Sequence, residues 1–201
     1  MIGLIDIVLA SASARRRRMF EEMGITFEVV PADIDETMVA GEEPGAYALR
    51  AAVEKGRFVA AALAARGRSP WIVGADTIVV LDGDVLTKPA SRAGAERMLG
   101  RLSGREHTVI TGWTVGRHGG PWVSRTEETQ VVFHPLSEEQ IRGYAATSEG
   151  MDKAGAYAIQ GIGAFLVARI EGDYFNVVGL PISLVTRALL DFGALPGFLA
   201  P

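Results

Sequence analysis

Asp76 stands in the middle of an otherwise apolar run, Trp71–Leu81. A carboxylate inside a core strand is costly unless it is paired, hydrogen-bonded or bound to metal. It could hold Mg²⁺ or accept a proton from an attacking water. The bland alternative is a strand-end aspartate satisfied by backbone N–H groups or Thr77. A second candidate is Ser11-Ala12-Ser13 followed by Arg15 and Arg16. A strand running into a helix start presents free N–H groups and the positive end of the helix dipole. Hydroxyls and guanidinium groups added there make a cradle for phosphate. The equal alternative is a capped helix with solvated or salt-bridged arginines. Residues 15–18 are all arginine, and neighbours on a helix point in different directions, so four cannot meet one ligand. Arg15 and Arg16 lie nearest the helix start and are the better placed.

Other candidates are weak singly. Glu36 closes the acidic stretch Asp33-Ile34-Asp35-Glu36 and gains meaning if it shares a metal with Asp76. Lys55, in an alanine-rich helix, and Lys88, before Pro89, each read as solvated lysines. In Asp152–Gly161, Gly155 and Gly161 permit tight turns and close backbone approach. An Asp152–Lys153 pair could fix that loop. Gln160 carries both a donor and an acceptor and could read a nucleobase edge, or be an exposed turn amide. His107, His118 and His134 are scattered and form no metal cluster, and His107 reads as structural. There is no Walker A sequence, no Gly-x-Gly-x-x-Gly fingerprint and no nucleophile elbow.

The elements that must position these groups follow from periodicity and punctuation. Ile5–Ala10, Phe27–Val30 and Trp71–Leu81 read as strands. So do His107–Val115, Trp122–Phe133, Phe165–Ile170 and Tyr174–Val178. Helices are expected over Arg15–Met23, capped by Ser13 and ended by Gly24, and over Ala46–Ala65 and Ala93–Leu102. Two more are expected from Glu138 to about Thr147, capped by Ser137, and over Ile182–Phe192. Asp82-Gly83-Asp84 is a turn. Strands alternating with helices give an α/β class, and the central hairpin signals make the sheet mixed.

Composition bounds the function. With 201 residues the chain fits one α/β domain or two small lobes sharing a cleft. No cysteine is present, which excludes disulfides, thiolate catalysis and cysteine-ligated metal sites. The net charge of −4 argues against a nucleic-acid-coating protein and leaves the arginine cluster as a local anion site. No apolar run is long enough for a bilayer, and Asp6 interrupts the N-terminal apolar stretch. The expected setting is cytoplasmic, with no membrane or nucleic-acid partner.

Taken in order, several short stretches resemble the Maf family of nucleotide pyrophosphatases, from Leu9 to about Leu190. They begin with Leu9-Ala10-Ser11-Ala12-Ser13 with Arg15-Arg16, Ile34-Asp35-Glu36, Gly74-Ala75-Asp76-Thr77 and Lys88-Pro89. They continue through Leu102-Ser103-Gly104 with His107, Asp152-Lys153-Ala154-Gly155-Ala156-Tyr157 and Ile159-Gln160-Gly161. Gly172-Asp173-Tyr174 and Val178-Gly179-Leu180-Pro181 complete the series. Each is weak alone; their joint order and spacing are specific.

The resemblance implies a single domain over residues 1–201. Its α/β fold would have an elongated mixed sheet flanked by helices and two lobes with a central cleft, similar to inosine-triphosphate pyrophosphatase. It implies Asp76 as proton acceptor, with Ser11, Arg15, Arg16, Glu36, Lys55 and Lys88 lining the phosphate and metal site. Arg15, Thr77 and Gln160 would set base preference. A divalent cation, Mg²⁺ or Mn²⁺, is the implied cofactor, held by Asp76 and Glu36. The versions of Gly-Ala-Asp-Thr and Ile-Gln-Gly resemble the branch that hydrolyses dTTP and UTP to monophosphate and pyrophosphate. A homodimer and a link to septum formation also come with the family. Alternatives are a pyrophosphatase for modified nucleotides such as 7-methyl-GTP and a non-catalytic nucleotide-binding division regulator. Three positions depart from the pattern: Ala14 for proline, Thr87 for glycine and Ala158 for glycine, the last beside the base-reading glutamine.

Overall fold

The computed structural model describes residues 6–195. Seven strands form a mixed sheet in the order β2-β1-β3-β5-β6-β7, with β4 paired to β3. They are β1 (Ile7–Leu9), β2 (Glu28–Val29), β3 (Trp71–Leu81), β4 (Asp84–Leu86), β5 (Glu106–Gly116), β6 (Trp122–Phe133) and β7 (Val167–Glu171). The helices are α1 (Ala14–Glu22), α2 (Pro44–Ala64), α3 (Arg92–Leu102), α4 (Glu138–Ala146), α5 (Tyr174–Val178) and α6 (Ile182–Asp191). Mixed α/β is therefore the observed class. Among the described residues no helix is long and apolar enough to cross a membrane.

The chain divides into two compact units. One comprises the residues through Asp76, Thr111–Thr126 and those from Gly179 on; the other comprises Thr77–Ile110 and Glu127–Val178. In the first unit β1 pairs in parallel with β2 and with the start of β3, Leu9 facing Val73. Val8, Ala10, Val59, Leu63 and Ile72 form part of its core. The backbone of α2 lies very close to the strands. A β-carbon on Gly74 would sit 2.5 Å from the Ala52 carbonyl oxygen, and one on Gly112 would sit 2.2 Å from that of Ala48. Alanines on α2 and glycines on the strands are thus one device for close helix–sheet packing.

In the second unit β3 and β4 form a hairpin, Val79 facing Leu86. Its tight turn has Asp82 at φ 55° and Gly83 at φ 85°, as the Asp-Gly pair requires. Helices α3 and α4 pack over a core of Leu81, Leu99, Leu102, Val131, Phe133 and Leu166. Ser91 caps α3, and Ser137 with Gln140 forms a capping box on α4.

Most element expectations hold, with boundaries shifted by a residue or two. Gly24 takes φ 67° where α1 ends. Ile5, the first residue expected in strand β1, lies outside the described residues. One expectation is overturned: Tyr174–Val178 is helix α5, not a strand. Asp173 accounts for it, because its carboxylate accepts from the Phe175 N–H at 2.8 Å and starts a helical turn. Asn176 and Val178 are its buried residues. Residues Gly161–Leu166 also form a 3-10 helix, so β7 starts two residues later than expected.

Candidate active site

Lys55 is the centre of the first unit's polar constellation. Its ammonium donates to Glu36 Oε2 at 2.6 Å and to Asp76 Oδ1 at 2.7 Å. Its side chain is 10% exposed and that of Asp76 13%, while Glu36 is 44% exposed. The lysine therefore joins one shielded carboxylate to one that solvent reaches. Chain geometry explains the meeting. Asp76 lies two residues past Gly74, and Lys55 immediately precedes Gly56, where α2 presses on β3. A helix held that close can deliver a lysine ammonium onto the strand.

The Glu36 loop is fixed by α2. Tyr47, two helical turns before Lys55, donates its hydroxyl to the Glu36 carbonyl at 2.9 Å. Burial, then the charges of Asp76 and Glu36, push the Tyr47 phenol up from its ordinary value, so it stays a donor. Arg50 grips Glu42 through two bonds, 2.7 and 2.8 Å, and donates to the Thr37 carbonyl at 3.1 Å. Asp35 accepts from the Thr37 N–H and hydroxyl. Glu36 is thus presented by a braced loop.

Arg16 is buried, at 8% exposure. Its Nε donates to the Gly179 carbonyl at 2.7 Å, and Nη1 donates to Ser11 Oγ at 3.1 Å and to the Ala75 carbonyl at 3.0 Å. The Ala10 N–H takes the Val73 carbonyl at 2.8 Å. Two residues on along the same edge of β3, the guanidinium takes over from the missing strand partner at Ala75. Arg16 thus fixes the backbone next to Asp76. Burial draws its pKa down to about 10, against the opposing pull of Asp76 and Glu36. Ser13 caps α1, and its own N–H donates to Ser11 Oγ at 3.2 Å. Arg15 follows at intermediate exposure, and Arg17 pairs with Glu21 at 2.7 Å on the exposed face. The four arginines therefore separate in function, as their helical directions require.

The structure brings Ser11, Arg16, Glu36, Lys55 and Asp76 into one connected arrangement. Thr77, Lys88 and Gln160 belong to the second unit. There Lys88 is exposed and lines a cleft of about 440 Å³ with Ser91, Gly94, Arg97 and Arg101. The loop carrying Gln160 packs on the same segment, since the Gly155 N–H donates to the Thr87 carbonyl at 3.3 Å. That contact requires Gly155 at φ 68°, a conformation costly for any residue with a β-carbon. Ala156 follows at φ 62°. Tyr157 anchors this turn, its hydroxyl 2.8 Å from His107 Nε2 in a buried aromatic group with Phe133. Lys153 and Asp152 pair at 2.5 Å, and Gln160 is exposed.

Sequence reasoning missed Tyr47, Arg50, Glu42 and the carbonyl of Gly179. The available signal was the stripe Tyr47, Ala51, Lys55 at i, i+4, i+8 on α2. Gly179 stands in one of the family stretches, but nothing in the sequence points to its carbonyl as the partner of Arg16.

As a donor set for a divalent cation, Glu36 and Asp76 are hard oxygen ligands close enough to meet on one cation, as Lys55 shows. Among the described residues no group of three or more His, Cys, Asp or Glu could hold a metal. The pair fits an ion such as Mg²⁺, which commonly takes one or two carboxylates and completes its shell with water and substrate phosphate.

Comparison with known proteins adds a family. The family described as Maf-like protein matches residues 6–192. A dTTP/UTP pyrophosphatase of Symbiobacterium thermophilum is 49% identical over 188 residues, covering 94% of each chain. A dTTP/UTP pyrophosphatase of Geobacter sulfurreducens is 49% identical over 190 residues, covering 94% of this chain and 97% of that protein. Among solved structures, a HAM1 protein from Coxiella burnetii aligns with a TM-score of 0.42 at 17% identity, over 63% of this chain and 72% of that one.

Proposed function

The chain belongs to the Maf-like protein family, and from that premise we propose that it hydrolyses dTTP and UTP to the monophosphate and pyrophosphate. The observation that carries the reading is the Glu36–Lys55–Asp76 bridge beside buried Arg16. Two carboxylates and compensating cations, all implied by the family resemblance, meet there, which supports phosphate chemistry at this point. The relatives that match nearly the whole chain bear the names of enzymes with this activity.

In this reading water attacks the α-phosphorus. The bond between that phosphorus and the bridging oxygen breaks, and pyrophosphate leaves. Asp76 accepts the water's proton and later returns it to solvent. A divalent cation, held by Glu36 and Asp76, supplies charge neutralisation at the phosphates. A carboxylate committed to metal is a weaker base, so Glu36 would take the larger share of holding the ion and Asp76 would serve the water. Arg16 keeps the Asp76 strand in place through Ala75. Arg15 and Lys55 stabilise charge on the transferring group and on pyrophosphate; Lys88 is assigned to phosphate on the strength of the family motifs alone. Ser11 and Ser13 accept from the N–H groups of Ser13 and Arg16 and so fix the start of α1, whose positive end is assigned to phosphate. Thr77 and Gln160 are assigned to the pyrimidine edge, on the strength of the family motifs.

Turnover of dTTP in ¹⁸O-labelled water tests the bond broken. The expected label is in the monophosphate, with unlabelled pyrophosphate. Label in pyrophosphate, or release of diphosphate and inorganic phosphate, contradicts the reading.

A further inference from the structure

The geometry points to Lys55 as a competitor of the metal: we propose that its ammonium and a divalent cation exclude one another at Glu36 and Asp76, so that metal enters only with a triphosphate that draws Lys55 away. This deepens the functional reading above and rests on it for the identity of the triphosphate.

One ammonium already satisfies an oxygen of each carboxylate, at 2.6 and 2.7 Å. A second cation drawn to the same oxygens would meet Lys55 at close range and repel it. The lysine has the advantage in the absence of phosphate. It is tethered, it is buried on α2, and its bonds need no stripping of a tightly held water shell, which Mg²⁺ resists losing. The protein also offers the ion little else: among the described residues no third carboxylate or imidazole completes a cage. A triphosphate changes both sides of the balance. Its oxygens supply the missing metal ligands, and its negative charge gives Lys55 a new partner. One side chain then does two jobs in sequence, holding the carboxylates together and afterwards stabilising the phosphates. The consequence is a binding order: free metal binds poorly, and the metal–nucleotide complex binds well.

The test is nucleotide-free binding of Mn²⁺ to the full chain, read from the electron paramagnetic resonance of free Mn²⁺. Lys55→Met and Lys55→Gln are compared with wild type, each first shown to unfold cooperatively; Lys55→Gln keeps a polar group should Lys55→Met fail to fold. The dissociation constant is expected to fall at least tenfold in the variants. Adding Asp76→Asn to either should abolish that gain. Equal or weaker Mn²⁺ binding in the folded variants overturns the proposal, and so does a gain that survives Asp76→Asn. Pyrophosphate release by wild type, measured in parallel, bears on the functional reading alone, because the Mn²⁺ comparison contains no nucleotide.

Discussion

The most consequential single groups are Asp76 and Arg16, and they fail in different ways. Asp76→Asn keeps the shape and much of the hydrogen bonding but cannot accept a proton. It should lower kcat by about 10²–10⁴-fold and lower the unfolding midpoint, since shielded Lys55 and Arg16 lose a compensating charge. Near-wild-type turnover in steady-state kinetics would rule out the base role. Arg16 instead fixes backbone. Arg16→Lys keeps the charge but loses the planar fork that reaches Ser11, Ala75 and Gly179 together. It should cost about 2–3 kcal/mol, the scale for charged hydrogen bonds left unmade, and lower kcat as well. A urea titration showing no loss of stability would contradict this account. Such division of labour was only half legible in the sequence. The run of arginines suggested an anion site, but which of them turns inward depends on partners such as Gly179, distant in the chain.

At the scale of elements, the site exists because the backbone of α2 lies close against β3 at Gly74 and against β5 at Gly112. Gly74→Ala puts a methyl group 2.5 Å from the Ala52 carbonyl oxygen and 3.0 Å from the Gly56 nitrogen. Both are backbone atoms that cannot rotate away. The helix must shift outward and carry Lys55 with it. A loss of about 1–3 kcal/mol is expected, together with a larger fall in kcat/KM than any change of that size at a remote core position. Wild-type kinetics in Gly74→Ala would show that the close packing does not position the lysine. Tyr47→Phe tests the neighbouring device more gently. It should destabilise the fold by about 1 kcal/mol and raise KM several-fold through the loosened Glu36 loop, with kcat nearly retained. An unchanged KM would detach Tyr47 from the site. The helices and long strands were readable from periodicity, capping serines and glycine stops. The error at Tyr174–Val178 arose because a side-chain turn at Asp173 started a helix too short for periodicity to reveal.

Across the whole molecule, stability should have a steep acid limit with an identifiable contributor. His107 is buried beside Tyr157, and burial pulls its pKa from 6.5 to about 4. Between those values the unfolded chain binds the proton and the folded chain does not. This residue's stabilising contribution is therefore complete above about pH 6.5 and is lost as pH falls toward 4, by up to ~1.4 kcal/mol per pH unit. His107→Gln should flatten that part of the profile, whatever it costs at neutral pH. Urea midpoints at pH 7 and pH 5 that fall equally in both proteins would assign the acid limit elsewhere. The fold class was legible because its signals are local: alternation, caps and turns. The motif residues were legible as a set, by their order. What the sequence did not show is which polar groups are spent on holding the site and which are left for a ligand, because that depends on partners far apart in the chain. The central claim is most directly tested by pyrophosphate release from dTTP, UTP, CTP, GTP, ATP and 7-methyl-GTP, with and without Mg²⁺ or Mn²⁺. Metal-dependent release, fastest with dTTP and UTP, is the predicted result. Folded protein that releases pyrophosphate from none of them would contradict the account.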